Sequence, residues 1–368
     1  MQRQRLERYT LGTAEGLRAV RAGLAEGASW YRSPVPRKRL KELMRRDDRE
    51  ATINTALWLG SLVTTGAAGA ALLLSRHRPL AYPVLAAYGV LYATASDARW
   101  HECGHGTAFK TRWKNDVVYQ IACFLDMKDP VASRWSHTRH HTDTIIVGRD
   151  PEIEAMRPAR LVKIAANMLG LHFVPTAARD LTLHASGRLT RAERTYIPEE
   201  ERPKVYRTAR IWAGIYGASA LLAFATRSRL PFVLLGGPQF YGCWLRYVYS
   251  YTQHAGLGEN VLDHRLNTRT LYLNRLHRFL YMNMNYHVEH HMFPMVPFHN
   301  LGALHEEIRE DTAPAYNGLV ETYKEIIPAI AKQLSDPTHY VRRELPESAQ
   351  PLHPVNDGRA LDLPEAAA

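Results

Sequence analysis

Three clusters of histidine constrain this chain more than any other feature of its sequence. They read HECGH at residues 101–105, HTRHH at residues 137–141 and HVEHH at residues 287–291. Spacings of three and four residues place imidazoles on one face of a helix, as in a metal site. A structural zinc ion takes only four ligands, so this many nitrogen donors favours two redox-active iron ions. The eight histidines are His101, His105, His137, His140, His141, His287, His290 and His291.

In this order, and separated by apolar segments, the three strings resemble the histidine boxes of the integral-membrane fatty acid desaturase and hydroxylase superfamily. The likeness spans about residues 50–310. It depends on all three boxes, because strings such as the one that begins at His101 also occur in zinc peptidases. The resemblance implies a non-haem di-iron centre that activates dioxygen and breaks an unactivated C–H bond. The eight box histidines would then be its catalytic residues and its metal ligands.

The resemblance also implies a ninth ligand. In that superfamily a histidine near the end of the fourth membrane span often completes the second iron site. His254 occupies that place, and His264 is the competing candidate. Some relatives carry an asparagine one turn before this histidine, where the present chain has Ser250.

Acidic residues near the boxes are candidates to accept the second ring N–H of a ligand histidine and so to fix its tautomer. Their alternative role is an ion pair with Arg139 or Arg149. The four candidates are Glu102, Asp143, Asp150 and Glu289.

Apolar runs predict the fold class. Residues 51–74 and 79–96 predict one membrane hairpin, and residues 211–226 and 230–245 predict a second. The alternative for the second pair is two buried helices of a soluble protein. Residues 161–178 contain polar side chains, and a crossing there would separate the third box from the first two, so we expect an amphipathic interfacial helix. The expected fold is an all-α membrane protein with about four spans and a cytoplasmic helical cap that holds the di-iron site.

Charge predicts the orientation. Residues 1–50 hold 13 Lys and Arg against 7 Asp and Glu, which places this basic segment and the boxes in the cytoplasm of a multi-pass cell-membrane protein. Residues 51–310 form the expected catalytic domain. Residues 311–368 form an acidic tail that we expect to be partly disordered after about residue 336. The chain's net charge of +11 flanks apolar runs and accompanies no recognisable nucleic-acid module, so the expected partner is the bilayer.

The cysteines exclude an internal electron carrier. Cys103, Cys123 and Cys243 lack CxxC spacing, and the chain has no dinucleotide-binding glycine pattern. Cys103 lies inside the first box, but its helical position directs it away from His101 and His105, and we expect it to pack in the core. Di-iron chemistry consumes electrons as well as dioxygen. A separate ferredoxin-type carrier and its reductase are therefore the expected donors.

The expected activity is desaturation or hydroxylation of an aliphatic C–H position, and the leading substrate is an acyl lipid. An acyl chain would need an apolar tunnel, and the candidate residues to line it are Phe240, Tyr241, Trp244, Tyr281 and Met284. The alternative is a small polar metabolite, such as an amine, an amino acid or a rhizopine-like compound, bound by charged residues such as Arg149 or Asp150. A non-catalytic metal-binding membrane protein is the rival of another class, and the intact boxes argue against it.

Overall fold

The computed structural model describes residues 2–23 and 29–352 of the chain. Within these ranges the backbone forms helices and no β-strand, which agrees with the all-α prediction. Two isolated bridges lie near the third box: Thr270 pairs with Tyr286, directly before the box, and Leu271 pairs with Tyr316, after it.

The N-terminal third contains the longest helix. Short helices α1 (Gln2–Glu7), α2 (Ala14–Gly23) and α3 (Arg37–Leu43) precede α4 (Asp48–Leu74). The Asp47 side chain caps α4 by accepting the Arg49 backbone N–H at 2.8 Å. The stretch Arg37–Leu74 is long and apolar enough to cross a membrane, and 22% of its most apolar window is buried. This is one clear candidate span, against the four that the sequence predicts.

The next helix packs along α4 and carries the first box. It runs as α5 (Ala81–Gly89), a π-helical turn (Val90–Thr94) and α6 (Ala95–Gly104). Trp58 of α4 is fully buried against it and donates its indole N–H to the Leu91 carbonyl at 2.9 Å. Segments of π-helix are frequent at functional sites, and here one lies directly before the first box.

The middle of the chain differs from the prediction at two breaks. Residues 161–178 do not form one helix, because Gly170, at φ 66°, ends the first of two helices that meet at 84°. Residues 230–245 are also interrupted, since Gly236 adopts φ 76° and Pro238 starts a new helix. The helices here are α7 (Arg112–Leu125), α8 (Pro130–Thr142), α9 (Leu161–Met168), α10 (Phe173–Ala185), α11 (Arg202–Ala225), α12 (Leu230–Leu234), α13 (Pro238–Gly242) and α14 (Trp244–His254).

The C-terminal part holds the third box and a helix of the expected tail. Its helices are α15 (His264–Asn267), α16 (Arg275–Tyr281), α17 (His287–Met292), α18 (Leu301–Ile308) and α19 (Leu319–Ser335). Helix α19 packs on α14, where the Tyr323 hydroxyl donates to the Val248 carbonyl at 2.8 Å. This part of the acidic tail is therefore folded onto the body, and residues 353–368 lie outside the described residues.

Helices α4 and α11 expose large apolar side chains. Val63 on α4 is 69% exposed, and Phe224 on α11 is 85% exposed. Exposed apolar side chains on such helices are typical of contact with lipid or with another protein.

The break in α12–α13 allows a close helix contact that tolerates no side chain. A Cβ atom added at Gly242 would lie 1.9 Å from the Gly89 carbonyl oxygen, whereas one added at Gly60 would meet open space. We expect Gly242→Ala to lower the free energy of unfolding by about 2 kcal/mol or more, since the clash is with backbone. Gly60→Ala, the matched control, should raise it by up to about 1 kcal/mol, because alanine favours the helix. Thermal unfolding in detergent measures both, and equal midpoints would contradict this packing.

Candidate metal centre

The three boxes lie on three helices. The first box is at the end of α6, the second in the second half of α8 and the third on α17. Helix α8 begins with Pro130 in its first turn and with Asp129 as its N-cap, whose carboxylate accepts two backbone N–H groups at 2.9 Å. This cap fixes the start of α8, and the i, i+4 spacing of its last turn then turns His137 and His141 to one face.

The box histidines come together with His254 in two adjacent groups. Within each group one nitrogen per residue lies within 4.8 Å of every other. The first group is His101, His105, His137, His141 and His290, and the second group is His140, His254, His287 and His291. All eight box residues and His254 thus lie in the groups. Their role as ligands remains a prediction.

Spacing between nitrogens in the groups suits metal binding. In the first group, His137 Nε2 lies 3.0 Å from His105 Nε2 and 3.1 Å from His141 Nε2. In the second group, the Nε2 atoms of His287 and His291 are 3.1 Å apart. Nitrogens about 2.1 Å from one ion and at right angles to each other are separated by about 3.0 Å. Both groups therefore have the spacing of ligands around an ion.

Of the two candidates for a ninth ligand, the structure brings only His254 into a group. Its Nδ1–H donates to the Asn267 carbonyl at 2.8 Å, which leaves Nε2 as a buried lone pair with no hydrogen-bond partner in the described chain. The His264 ring instead stacks on Trp30, with 4.2 Å between ring centroids. It lies near His291 but in neither group.

One of the four acidic candidates contacts a box histidine. Asp150 accepts the His140 Nδ1–H at 2.9 Å. Two residues that sequence reasoning missed do the same for other rings. Glu152 accepts the His137 Nδ1–H at 3.0 Å. Thr144 donates its hydroxyl to the His140 carbonyl and accepts the His291 Nδ1–H at 3.2 Å.

These contacts favour the imidazole tautomer that carries its proton on Nδ1, which leaves the Nε2 lone pair free for an ion. Glu152 follows Asp150 by two residues in the loop after the second box, and that proximity was the available signal in the sequence.

The other three acidic candidates have different partners, so that part of the prediction is wrong. Asp143 pairs with Arg139 and Arg149, which was the alternative role. Glu289 accepts His305 Nδ1–H at 2.6 Å.

Glu102 accepts the Thr107 hydroxyl at 2.8 Å and the Phe298 backbone N–H at 3.1 Å. Burial raises the pKa of Glu102 to about 7. Glu102 and Glu289 thus tie the box helices to their surroundings and do not orient a ligand.

Burial keeps most of these imidazoles neutral. It lowers the pKa of His105 to about 4 and the pKa values of His101, His141 and His254 well below the usual histidine range. His140 is different, because the neighbouring Asp150 carboxylate outweighs burial and raises its pKa. A neutral imidazole is the form that binds metal, so eight of the nine rings need lose no proton at neutral pH.

Unpartnered nitrogens show that the residues fit a metal. Both ring nitrogens of His101, Nε2 of His254 and Nδ1 of His290 are buried without a hydrogen-bond partner in the described chain. Leaving such a group unpaired costs on the order of 1–3 kcal/mol. An ion in each group would give a partner to one ring nitrogen of His101 and to Nε2 of His254, since each ring offers an ion only one nitrogen. The nine donors exceed what one ion accepts, so the set fits two.

Comparison with known proteins agrees with this geometry. The family model described as Fatty acid desaturase matches residues 77–323. The chain belongs to the fatty acid desaturase family. It is 26% identical over 251 residues to "Delta(5) fatty acid desaturase fat-4" of Caenorhabditis elegans, an alignment that covers 60% of this chain and 55% of that protein. The chain thus spans about half the length of this curated relative. Members of this family are membrane-associated oxidoreductases.

A cavity of about 370 Å³ leads to both groups of this desaturase-family protein. Five of the nine histidines line it, namely His101, His137, His140, His254 and His287. Of the five residues expected to form an apolar tunnel, only Tyr281 lines the cavity. Phe240, Tyr241, Trp244 and Met284 do not line this cavity, nor do the charged candidates Arg149 and Asp150.

Because the two groups are distinct, the loss of iron from one of them can be predicted separately from the other. We expect the purified protein to hold close to two irons per chain, because five and four nitrogens are available. His254→Ala should lower iron to about one per chain, since it removes one of four donors from the second group. His264→Ala, the matched control, should retain both irons. Metal analysis by mass spectrometry measures this, and one zinc without iron would overturn the di-iron assignment.

Proposed function

We propose that this protein is a dioxygen-dependent di-iron oxidoreductase that desaturates or hydroxylates an aliphatic C–H position. The observation that carries the proposal is the pair of adjacent groups of imidazoles, most of them buried and neutral, beside a cavity. The first group would hold one iron and the second group the other. A non-catalytic metal-binding protein has no use for a cavity that ends at its metal ligands, so this alternative is disfavoured.

Two iron ions bound there would supply dioxygen reduction and hydrogen removal. Hydroxylation consumes the substrate, one dioxygen, two electrons and two protons, and gives an alcohol and one water. Desaturation consumes the same co-reactants and gives an alkene and two waters. The ligand set is compatible with both outcomes.

The chain's own residues orient the site and keep it dry. Glu152 and Asp150 hold the Nδ1 protons of His137 and His140, so that the Nε2 lone pairs face the interior of their groups. The Trp100 ring lies 5.4 Å from the His137 ring and donates its N–H to Asp97 at 2.9 Å. This arrangement limits water beside the reacting carbon.

Ten charged side chains in the cavity lining favour a small polar substrate, although most of the lining surface is apolar, because a carboxylate or guanidinium next to an acyl chain loses hydration without compensation. The acidic lining residues are Asp97, Asp129, Glu152, Glu154, Asp180, Glu193 and Glu259, and the basic ones are Lys128, Arg157 and Arg246. The second candidate substrate is a fatty acyl chain, which the family and the printed name of the relative favour.

Electrons would come from a separate ferredoxin-type carrier and its reductase. In support, the three cysteines are buried free thiols, so they form neither an iron–sulfur site nor a disulfide relay.

The cell membrane is the proposed location, with several spans and with the metal site on the cytoplasmic side. Supporting features are the apolar helix α4, the exposed apolar side chains of α11 and the basic segment before α4. The positive-inside rule places that basic segment in the cytoplasm.

Activity tests the function directly. Membranes from expressing cells, supplied with dioxygen and a ferredoxin-type reducing system, should form an oxidised product that a His137→Ala strain does not form. Untargeted comparison of the polar and lipid fractions identifies it, and we expect the new product in the polar fraction. A new unsaturated or hydroxylated acyl chain would instead support the second candidate. No dioxygen-dependent product in either fraction from iron-replete enzyme would overturn the proposal.

Topology tests the location. Single cysteines at the exposed positions 138, in the second box, and 295, just after the third, introduced into a variant without native cysteines, should both resist a membrane-impermeant reagent in intact cells, because the two boxes share one metal site. Labelling after permeabilisation is the control for reactivity. Reaction at position 295 alone in intact cells would place the third box on the opposite face and contradict the orientation.

A further inference from the structure

Aromatic rings form a continuous series from the protein surface to the metal centre. Trp30, which is partly exposed and lies before α3, stacks on His264 with 4.2 Å between ring centroids and 3° between ring planes. The buried His264 ring lies 5.0 Å from the ring of His291, a member of the second group. The His291 ring in turn stacks at 4.4 Å on that of His141, in the first group. Closely spaced rings thus connect the surface with both groups.

Two hydrogen bonds hold the outer ring of this series in place. The Trp30 indole N–H donates to the Thr142 carbonyl at 2.9 Å, which holds the ring against the end of α8. The next residue, Tyr31, donates its backbone N–H to the Leu262 carbonyl at 2.9 Å, two residues before His264. Trp30 is therefore anchored both to the helix of the second box and to the segment that carries its stacking partner.

A bridge of stacked rings suits electron transfer. Tunnelling weakens steeply as the gaps between donor and acceptor widen, so short gaps between rings keep the two ends of a path coupled. Trp100 also contacts box rings, but it is 5% exposed and lines the cavity. Trp30 and His264 are not among the residues that line the cavity. Electrons that used their stack would reach the metals by a route separate from that of the substrate.

The segment that carries Trp30 is strongly basic. Residues 30–46 hold seven Lys and Arg against one Glu, and Arg32 is exposed. At the end of α8, Arg139 and Arg149 pair with a single carboxylate. A basic surface around a partly exposed ring attracts an acidic partner and speeds its encounter with the protein. The charge of this surface therefore fits an acidic electron carrier.

We propose that an acidic one-electron carrier docks on the basic surface around Trp30, and that its electrons pass through the rings of Trp30 and His264 to the metal of the second group. This inference rests on the proposed function, because it assigns the docking site of the electron donor that this function needs. Neither ring changes its oxidation state, since each serves only as a bridge for tunnelling. Each transfer oxidises the carrier by one electron and reduces the metal by one electron. Two transfers supply the two electrons that one turnover consumes.

Anaerobic mixing of a reduced, acidic [2Fe–2S] ferredoxin with the iron-loaded protein in detergent tests the bridge without turnover. The visible absorbance of the ferredoxin reports its oxidation. At saturating ferredoxin, His264→Ala should slow this oxidation severalfold or more, because it opens a gap, whereas His264→Phe should restore most of the rate, because it keeps a ring. Trp30→Leu should also be slow. Trp113→Leu, the matched control at a position that is 63% exposed, should react normally. Equal rates for the wild type and these variants would overturn the proposal.

Calorimetry of ferredoxin binding tests the docking surface separately from the bridge. Arg32→Glu should weaken binding about tenfold at low ionic strength and much less at high ionic strength, with no change in the rate at saturation. Arg76→Glu, at an exposed position in the turn after α4, is the matched control. His264→Ala should leave affinity unchanged, because this residue is buried. If the basic segment serves lipid headgroups instead, Arg32→Glu would bind ferredoxin as tightly as the wild type, and that result would refute the docking site.

Iron content and a second reductant separate this inference from the proposed function. Reduced methyl viologen is a small cation that the basic surface does not attract, so it should reduce the wild type and His264→Ala at equal rates. If viologen reduces this variant as slowly as ferredoxin does, the substitution has disturbed the metal site and the bridge is contradicted. Iron-replete variants that ferredoxin reduces as fast as the wild type would remove the bridge and leave the di-iron function intact. A wild type that takes up no iron would remove the di-iron function itself.

Discussion

Burial of nine imidazoles in one interior region, which keeps eight of them neutral, is the constraint on which the rest of the structure depends. The rings come from the ends of α6, α8, α14 and from α17, and each needs its free nitrogen turned inward. Desolvation disfavours the protonated form, and carboxylate, carbonyl or hydroxyl acceptors fix the tautomer of several rings. Without an ion the unpartnered nitrogens oppose folding, so metal binding and the stability of this region are coupled.

Local spacing predicted the parts of this site that local structure determines. The i, i+3 and i, i+4 histidines lie in the two groups because a helical turn places them there. Asp150 was anticipated, whereas Thr144 and Glu152 were not, because their contacts depend on the path of the loop after α8. The choice between His254 and His264 likewise stayed open, since it depends on tertiary contacts such as the stacking of His264 on Trp30.

Composition alone was less reliable for the apolar segments. The prediction treated residues 161–178 and 230–245 as continuous, but Gly170 and Gly236 adopt left-handed backbone conformations that end helices. The second break allows close packing of two helices, because it lets Gly242 contact Gly89. Phe240 and Tyr241 lie on that same short helix, outside the cavity. The cavity lining could not be read from hydropathy, since it combines residues of α8, α10 and α14 with the loop around Glu152.

Charge pairing, more than charge count, decides what the cavity can bind. Asp97, Lys128, Asp126 and Arg246 neutralise one another in a buried network, and such a network has already compensated for its desolvation. A charged group of the substrate would have to displace a member of one of these pairs, whereas an uncharged group can occupy the apolar part of the lining without breaking any of them.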